Sequence, residues 1–129
     1  MAINKDKILI VEDDRTSQLY YSTILEDVYD LTVAPTADSA REALEQDEFK
    51  LAIIDIALPG GEDGTSLIKW IKKEYSDKLP LVAISAHAFP QHREAALEAG
   101  ADEYFTKPIL SGRLIEIIRR YIQDNEQVG

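Results

Sequence analysis

Four short, largely apolar runs in this chain each end abruptly at polar or charged residues, and this feature most constrains the fold. The clearest run is Leu51–Ile54, which ends at Asp55 and is followed by a segment rich in turn residues. An apolar run closed by a charge is typical of a strand that is buried on both faces. The other runs, with the residues that close them, are Ile8–Val11 with Glu12–Asp14, Leu81–Ile84 with Ser85, and Tyr104–Thr106 with Lys107. Because parallel strands end along one edge of a sheet, where ligand sites are built, we expect these polar side chains to converge.

Apolar residues at helical spacing lie between the runs and predict an alternation of strands and helices. The expected strands are Lys7–Val11, Leu31–Ala34, Leu51–Ile54, Leu81–Ile84 and Glu103–Thr106. The expected helices begin near Asp14, Thr36, Thr65, Pro90 and Ser111, and the first carries Leu19, Tyr20, Ile24 and Leu25 at roughly helical spacing. This pattern predicts an α/β fold, a doubly wound five-stranded parallel sheet of order 2-1-3-4-5 with helices on both faces, as in flavodoxin-like proteins. We expect one domain over residues 1–129, with a core of about 7–122 and a frayed tail from Asn125.

Composition excludes several classes of function. The net charge of -10 argues against nonspecific nucleic-acid binding, and the lack of cysteine excludes disulfides and thiolate metal sites. No apolar stretch approaches the roughly 20 residues of a membrane span, so we expect no membrane association and a cytoplasmic location.

The predicted order brings Glu12, Asp13 and Asp55 to the point where the chain reverses its winding direction. Three neighbouring carboxylates repel one another, and a hard divalent cation such as Mg²⁺ would neutralise them. Lys107 and Ser85 would add an ammonium and a hydroxyl suited to phosphoryl oxygens. Asp55 would then be a nucleophile that forms an aspartyl phosphate. Glu62, Asp63 and Asp102, in contrast, are expected to be solvated loop or cap charges.

These residues resemble the receiver domain of response regulators in two-component signalling, closest in pattern to receivers of hybrid kinases or stand-alone receivers. The matching segments are Ile8–Asp14, Asp55–Pro59 with Gly64, Ser85-Ala86 and Tyr104–Pro108. The order 2-1-3-4-5 is the established one for the chemotaxis member of that family, CheY. The resemblance implies a switch that takes a phosphoryl group on Asp55 from a histidine kinase or a histidine phosphotransfer protein.

The resemblance also implies a role for individual residues. Glu12, Asp13, Asp55 and the backbone carbonyl of Ala57 would hold Mg²⁺, whereas Ser85 and Lys107 would bind the phosphoryl oxygens. Tyr104 would turn inward on activation, and Lys107-Pro108 would be a cis peptide. The downstream target is unknown, and a weak homodimer through the fourth helix, fifth strand and fifth helix is possible.

The methyl side chain of Ala57 cannot orient a hydrolytic water. We therefore expect His87 to affect the lifetime of the phosphoryl group more than Ala57 does. The main alternative is a haloacid-dehalogenase-like Mg²⁺-dependent phosphohydrolase. Such enzymes normally have an acid catalyst two residues after the nucleophile, and Ala57, which stands there, cannot act as an acid. A flavin-binding function is disfavoured because Glu12–Asp14 would repel the flavin phosphate. We therefore expect no enzyme activity beyond self-phosphorylation from a phosphodonor and slow autodephosphorylation.

Overall fold

The computed structural model of the protein describes residues 5–58, 64–86 and 89–126. Residues 59–63 of the turn-rich segment after Asp55, with Glu62 and Asp63, and the expected role of His87 therefore lie outside the described residues. In chain order the elements are β1 (Lys7–Val11), α1 (Arg15–Leu25), β2 (Asp30–Ala34), α2 (Ala37–Gln46), β3 (Leu51–Asp55), α3 (Gly64–Tyr75), a 3-10 turn (Ser76–Lys78), β4 (Leu81–Ser85), α4 (Pro90–Ala99), β5 (Glu103–Thr106) and α5 (Ser111–Glu126). Among them, no helix is both long and apolar enough to cross a membrane.

The sheet has the predicted order, β2-β1-β3-β4-β5, and all four strand pairs are parallel. Alternate residues of each strand point to opposite faces. In β1, Leu9 and Val11 pack towards α2, α3 and α4, whereas Ile8 and Ile10 pack towards α1 and α5. The two apolar clusters on the two faces account for the nearly continuous aliphatic character of the strands.

Helix α1 buries only part of the face that the sequence suggested, since Ile24 and Leu25 pack against the core but Leu19 and Tyr20 do not. Tyr21 and Leu25 are buried, whereas Leu19 is 57% exposed and Tyr20 is 39% exposed. Tyr21 and Leu25 are four residues apart and so lie on one side of the helix, and only one such stripe can face the sheet. The expectation for Leu19 and Tyr20 was wrong.

Smaller differences concern the ends of elements. The strand β2 begins one residue early at Asp30, and β3 and β4 include their closing residues, Asp55 and Ser85. Helix α5 continues to Glu126, and the expected fraying of the tail from Asn125 stays a prediction. The Leu114 N–H donates to the Leu110 carbonyl, and Ser111 is the first helical residue instead of the residue before the helix.

Asp102 is exposed, as expected, and its carboxylate also has a structural role. Its Oδ2 accepts a hydrogen bond of 2.8 Å from the Leu81 N–H, and its own N–H donates to the Leu81 carbonyl at 2.8 Å. The carboxylate therefore satisfies a donor at the first residue of β4, a role that depends on strand pairing and has no local signal in the sequence.

Candidate functional site

The carboxyl ends of β1, β3, β4 and β5 bring the predicted site residues to one edge of the sheet. Val11 and Ile54 are partners in the β1–β3 ladder, so Glu12 and Asp55 follow at neighbouring positions. Ser85 pairs with Thr106 in the β4–β5 ladder, and the Lys107 N–H donates to the Ser85 carbonyl at 2.8 Å. Glu12, Asp55 and Ser85 are all buried.

Three of the carboxylates form a cluster. Each of Glu12, Asp13 and Asp55 offers an oxygen that lies within 4.8 Å of the oxygens of the other two. Asp13 is exposed, whereas Glu12 and Asp55 are buried, so the cluster opens to solvent on the Asp13 side. Hard carboxylate oxygens at this separation are the donors that Mg²⁺ prefers, and this donor set therefore fits the ion.

Lys107 supplies a positive charge to the same cluster. Its Nζ lies 2.7 Å from Glu12 Oε1 and 2.9 Å from Asp55 Oδ2. Burial lowers the pKa of Lys107, but the hydrogen bonds to the two carboxylates outweigh that effect, so the pKa is raised and the ammonium stays charged. The sequence argument assigned charge neutralisation to a metal alone, whereas the structure shows that the protein's own ammonium supplies part of it.

Glu12 is the most deeply placed carboxylate of the cluster. Burial raises the pKa of its carboxyl, and hydrogen bonds from Lys107 and from the Asp14 N–H offset only part of the rise. The Asp14 N–H donates to Glu12 Oε2 at 3.1 Å, and the Gln18 side chain donates to the Glu12 carbonyl at 2.6 Å. The first turn of α1 therefore orients Glu12.

Asp14 caps α1 as predicted and also contacts the site through Ser17. Its Oδ2 accepts hydrogen bonds from the Ser17 N–H and the Ser17 hydroxyl, both 2.9 Å long, and these bonds lower the pKa of the Asp14 carboxyl. Ser17 Oγ lies 3.5 Å from Lys107 Nζ. Sequence reasoning missed Ser17 and Gln18 because a polar residue in the first turn of a helix is common and carries no signal of its own.

The segment after β3 holds Asp55 from the other side. The exposed Ala57 donates its N–H to Asp55 Oδ1 at 3.0 Å. A Cβ on Gly64 would lie 2.5 Å from the Asp55 carbonyl oxygen, so only glycine permits this close approach of α3 to β3. The Gly64 N–H also donates to the Ile56 carbonyl at 2.8 Å.

Tyr104 is 7% exposed and belongs to the apolar cluster under α2, α3 and α4. The Tyr104 side chain therefore already lies inward in this structure, and its role as a switch stays a prediction. The Lys107-Pro108 peptide bond is cis, which confirms that expectation.

Comparisons with known proteins agree with this geometry. A family model described as the response regulator receiver domain matches residues 8–119. The sensor protein GacS of Pseudomonas syringae pv. syringae is 32% identical over 119 residues, which are 89% of this chain and 13% of that protein. The chain thus spans only a small part of that curated relative.

Two solved structures are similar over nearly the whole chain. A CheY-like receiver domain protein of Methanospirillum hungatei JF-1 has a TM-score of 0.88 and 31% identity, covering 98% of this chain and 100% of the other. The receiver domain of sensor histidine kinase PA1611 of Pseudomonas aeruginosa PAO1 has a TM-score of 0.83 and 29% identity, covering 92% and 98%. That structure holds a magnesium ion in its active site cleft.

Proposed function

The chain belongs to the response-regulator receiver family, the phosphoacceptor switches of two-component signalling, and on that premise we propose that Asp55 is its phosphoacceptor. One observation carries the proposal: the two oxygens of a buried carboxylate are held by different donors. Oδ2 accepts from Lys107 and Oδ1 accepts from the Ala57 N–H. A carboxylate fixed at both oxygens beside an acidic cluster is oriented for attack on a phosphorus atom.

In the proposed reaction an Asp55 oxygen attacks the phosphorus of a phosphohistidine or of a small phosphodonor. An oxygen–phosphorus bond forms, and the bond from phosphorus to the imidazole nitrogen, or to the donor oxygen, breaks. Lys107 and the Ser85 hydroxyl would bind the transferred oxygens and stabilise their charge. Glu12, Asp13, Asp55 and the Ala57 carbonyl would hold Mg²⁺, which when bound would offset further negative charge.

Slow autodephosphorylation is part of the proposal. The oxygen of a water molecule would form a bond to the phosphorus of the aspartyl phosphate, and the bond from phosphorus to the Asp55 oxygen would break. Inorganic phosphate would leave, and the Asp55 carboxylate would be restored. Ala57 is exposed and small, so its side chain neither orients nor excludes this water. We propose that His87 has the larger influence. Nothing in the fold or among these relatives supports the phosphohydrolase alternative.

The proposed phosphodonor is a histidine kinase or a histidine phosphotransfer protein, by analogy with the sensor kinases that contain the similar receivers. A cytoplasmic location belongs to the same proposal, since these donors obtain their phosphoryl group from ATP inside the cell. We further propose that α4, β5 and α5 form the surface that changes for a downstream protein or in a weak homodimer.

The test is phosphorylation by acetyl phosphate with Mg²⁺, followed by mass spectrometry. We expect one base-labile phosphoryl group on the parent protein and none on Asp55→Asn, which keeps the shape of the side chain but not the nucleophile. Asp27→Asn is a matched control because Asp27 is exposed and lies beyond the opposite end of α1. A phosphoryl group that persisted in Asp55→Asn would place the nucleophile elsewhere.

A further inference from the structure

Helix α1 contacts the segment that carries Lys107 at two separate points. The Tyr20 hydroxyl donates a 2.5 Å hydrogen bond to the backbone carbonyl of Ile109, a residue 89 positions away in the chain. One turn earlier, Ser17 Oγ lies 3.5 Å from Lys107 Nζ. Both residues are on the part of α1 that follows the acidic run.

With these contacts from α1, Lys107 is held from three sides. On the β4 side, the Lys107 N–H donates to the Ser85 carbonyl. On the sheet side, Glu12 and Asp55 accept from the ammonium. The third side is α1, where the Tyr20 bond fixes the backbone two residues beyond Lys107 and Ser17 contacts the ammonium itself.

The contacts are directional in a way that simple packing is not. Tyr20 is 39% exposed, so its ring makes a smaller apolar contribution to the core than that of Tyr21, which is 4% exposed. Ser17 Oγ donates to Asp14 Oδ2 and can therefore accept from Lys107, so a single hydroxyl connects the cap of α1 to the ammonium. Neither residue belongs to the apolar clusters, so removing either hydroxyl would leave the core intact.

We propose that Ser17 and Tyr20 are positioning residues that hold the Lys107 ammonium over Asp55 and so set the rate of phosphoryl transfer. This inference rests on the proposed function, because it assumes that Lys107 binds the transferred phosphoryl oxygens. It assigns α1 a part in the chemistry, in addition to its part in orienting Glu12.

The experiment compares Tyr20→Phe and Ser17→Ala with the parent under saturating acetyl phosphate and Mg²⁺. Because a misplaced charged group loses part of its effect on the transition state, we expect each variant to be phosphorylated roughly threefold to tenfold more slowly. Beryllofluoride affinity, which depends on Lys107, should fall by a similar factor. Mg²⁺ affinity should stay within about twofold, since the carboxylate ligands do not change.

Two matched variants separate positioning from general loosening. Tyr75→Phe also removes a tyrosine hydroxyl that donates to a backbone carbonyl, that of Leu44, but away from the site, and it should keep the parent rate. Ser17→Thr keeps a hydroxyl and should recover most of the rate that Ser17→Ala loses. NMR shifts of the Lys107 side chain, recorded without phosphodonor, should change in Tyr20→Phe and not in Tyr75→Phe.

The outcomes are distinguishable. Parent-like rates in both Tyr20→Phe and Ser17→Ala would overturn the inference and leave the proposed function standing. An equal loss of Mg²⁺ and beryllofluoride affinity would also overturn it, because that pattern indicates a loosened site. A parent protein that took up no phosphoryl group would overturn the proposed function and the inference together.

Discussion

Helices α4 and α5 pack on opposite faces of the sheet near its β5 edge, and they are held very differently. Helix α5 buries four large aliphatic side chains, each 1% exposed or less: Leu114, Ile117, Ile118 and Ile122. Within α4 the buried residues are only Ala96 and Ala99, and among the described residues no side chain caps its N-terminus. Phe89, which precedes α4, is 63% exposed.

The difference indicates which side of the site moves more easily. Displacing α5 would expose large apolar surface, at about 25 cal/mol per Å², whereas displacing α4 would expose much less. Helix α4 also follows the β4 end that carries Ser85, whereas α5 lies with α1 on the face that supports Lys107. We therefore expect a change at Asp55 to reach α4 before it reaches α5.

The largest expected effect is on stability. Leu114→Ala in α5 and Leu97→Ala in α4 remove the same atoms, but Leu114 is 1% exposed and Leu97 is half-buried. We expect Leu114→Ala to lower the free energy of unfolding by about 2–5 kcal/mol, because it leaves a cavity in the core. Leu97→Ala should cost about 1 kcal/mol or less. Urea unfolding of both variants measures the two losses, and equal losses would refute the proposed difference between the helices.

A second prediction concerns Mg²⁺ binding at the carboxylate cluster beside Lys107. Asp13→Asn removes one exposed carboxylate of the cluster, so Mg²⁺ affinity should fall tenfold or more in calorimetry. The free energy of unfolding should stay within about 0.5 kcal/mol, because Asp13 is exposed and Lys107 already pairs with the other two carboxylates.

Asp14→Asn is the matched control for that experiment. It removes a charge from the same acidic run, but asparagine can still cap α1 and Asp14 is not a member of the cluster. Its Mg²⁺ affinity should stay much closer to the parent value. If the two variants lost affinity equally, the effect would come from overall charge, and the assigned ligand set would be wrong.

The sequence predicted most of the fold because its local signals agree with one another. Aliphatic runs closed by charges marked the strands within a residue or so, and Thr36 caps α2 with a capping box as its position suggested. The convergence of Glu12, Asp13 and Asp55 followed from strand order alone, and the structure confirms that these side chains meet.

The errors and omissions concern side chains whose partners are distant in the sequence. The buried face of α1 depends on which stripe meets the sheet, and Tyr21 was overlooked because its neighbours also suit a helix face. The pairing of Lys107 with Glu12 joins residues 95 positions apart, and Asp102 meets Leu81 only through strand pairing. Such contacts are set by tertiary structure, and no periodicity predicts them.

The smallest expected effect concerns the route of the signal. Ser85 is fully buried at the end of β4, and its hydroxyl is the group expected to move towards a phosphoryl group on Asp55. With beryllofluoride and Mg²⁺, amide shifts and hydrogen exchange should change over 89–106 more than over 111–122. Losing one hydroxyl contact is worth about 1 kcal/mol, so Ser85→Ala should lower the equilibrium constant for the responding state roughly fivefold and shrink the α4 response. Ser111→Ala changes an exposed serine at the start of α5, and this variant should respond like the parent.

A full α4 response in Ser85→Ala would show that the coupling does not begin at the Ser85 hydroxyl. An equal response in α5 would mean that the difference in buried side chains does not decide which helix moves.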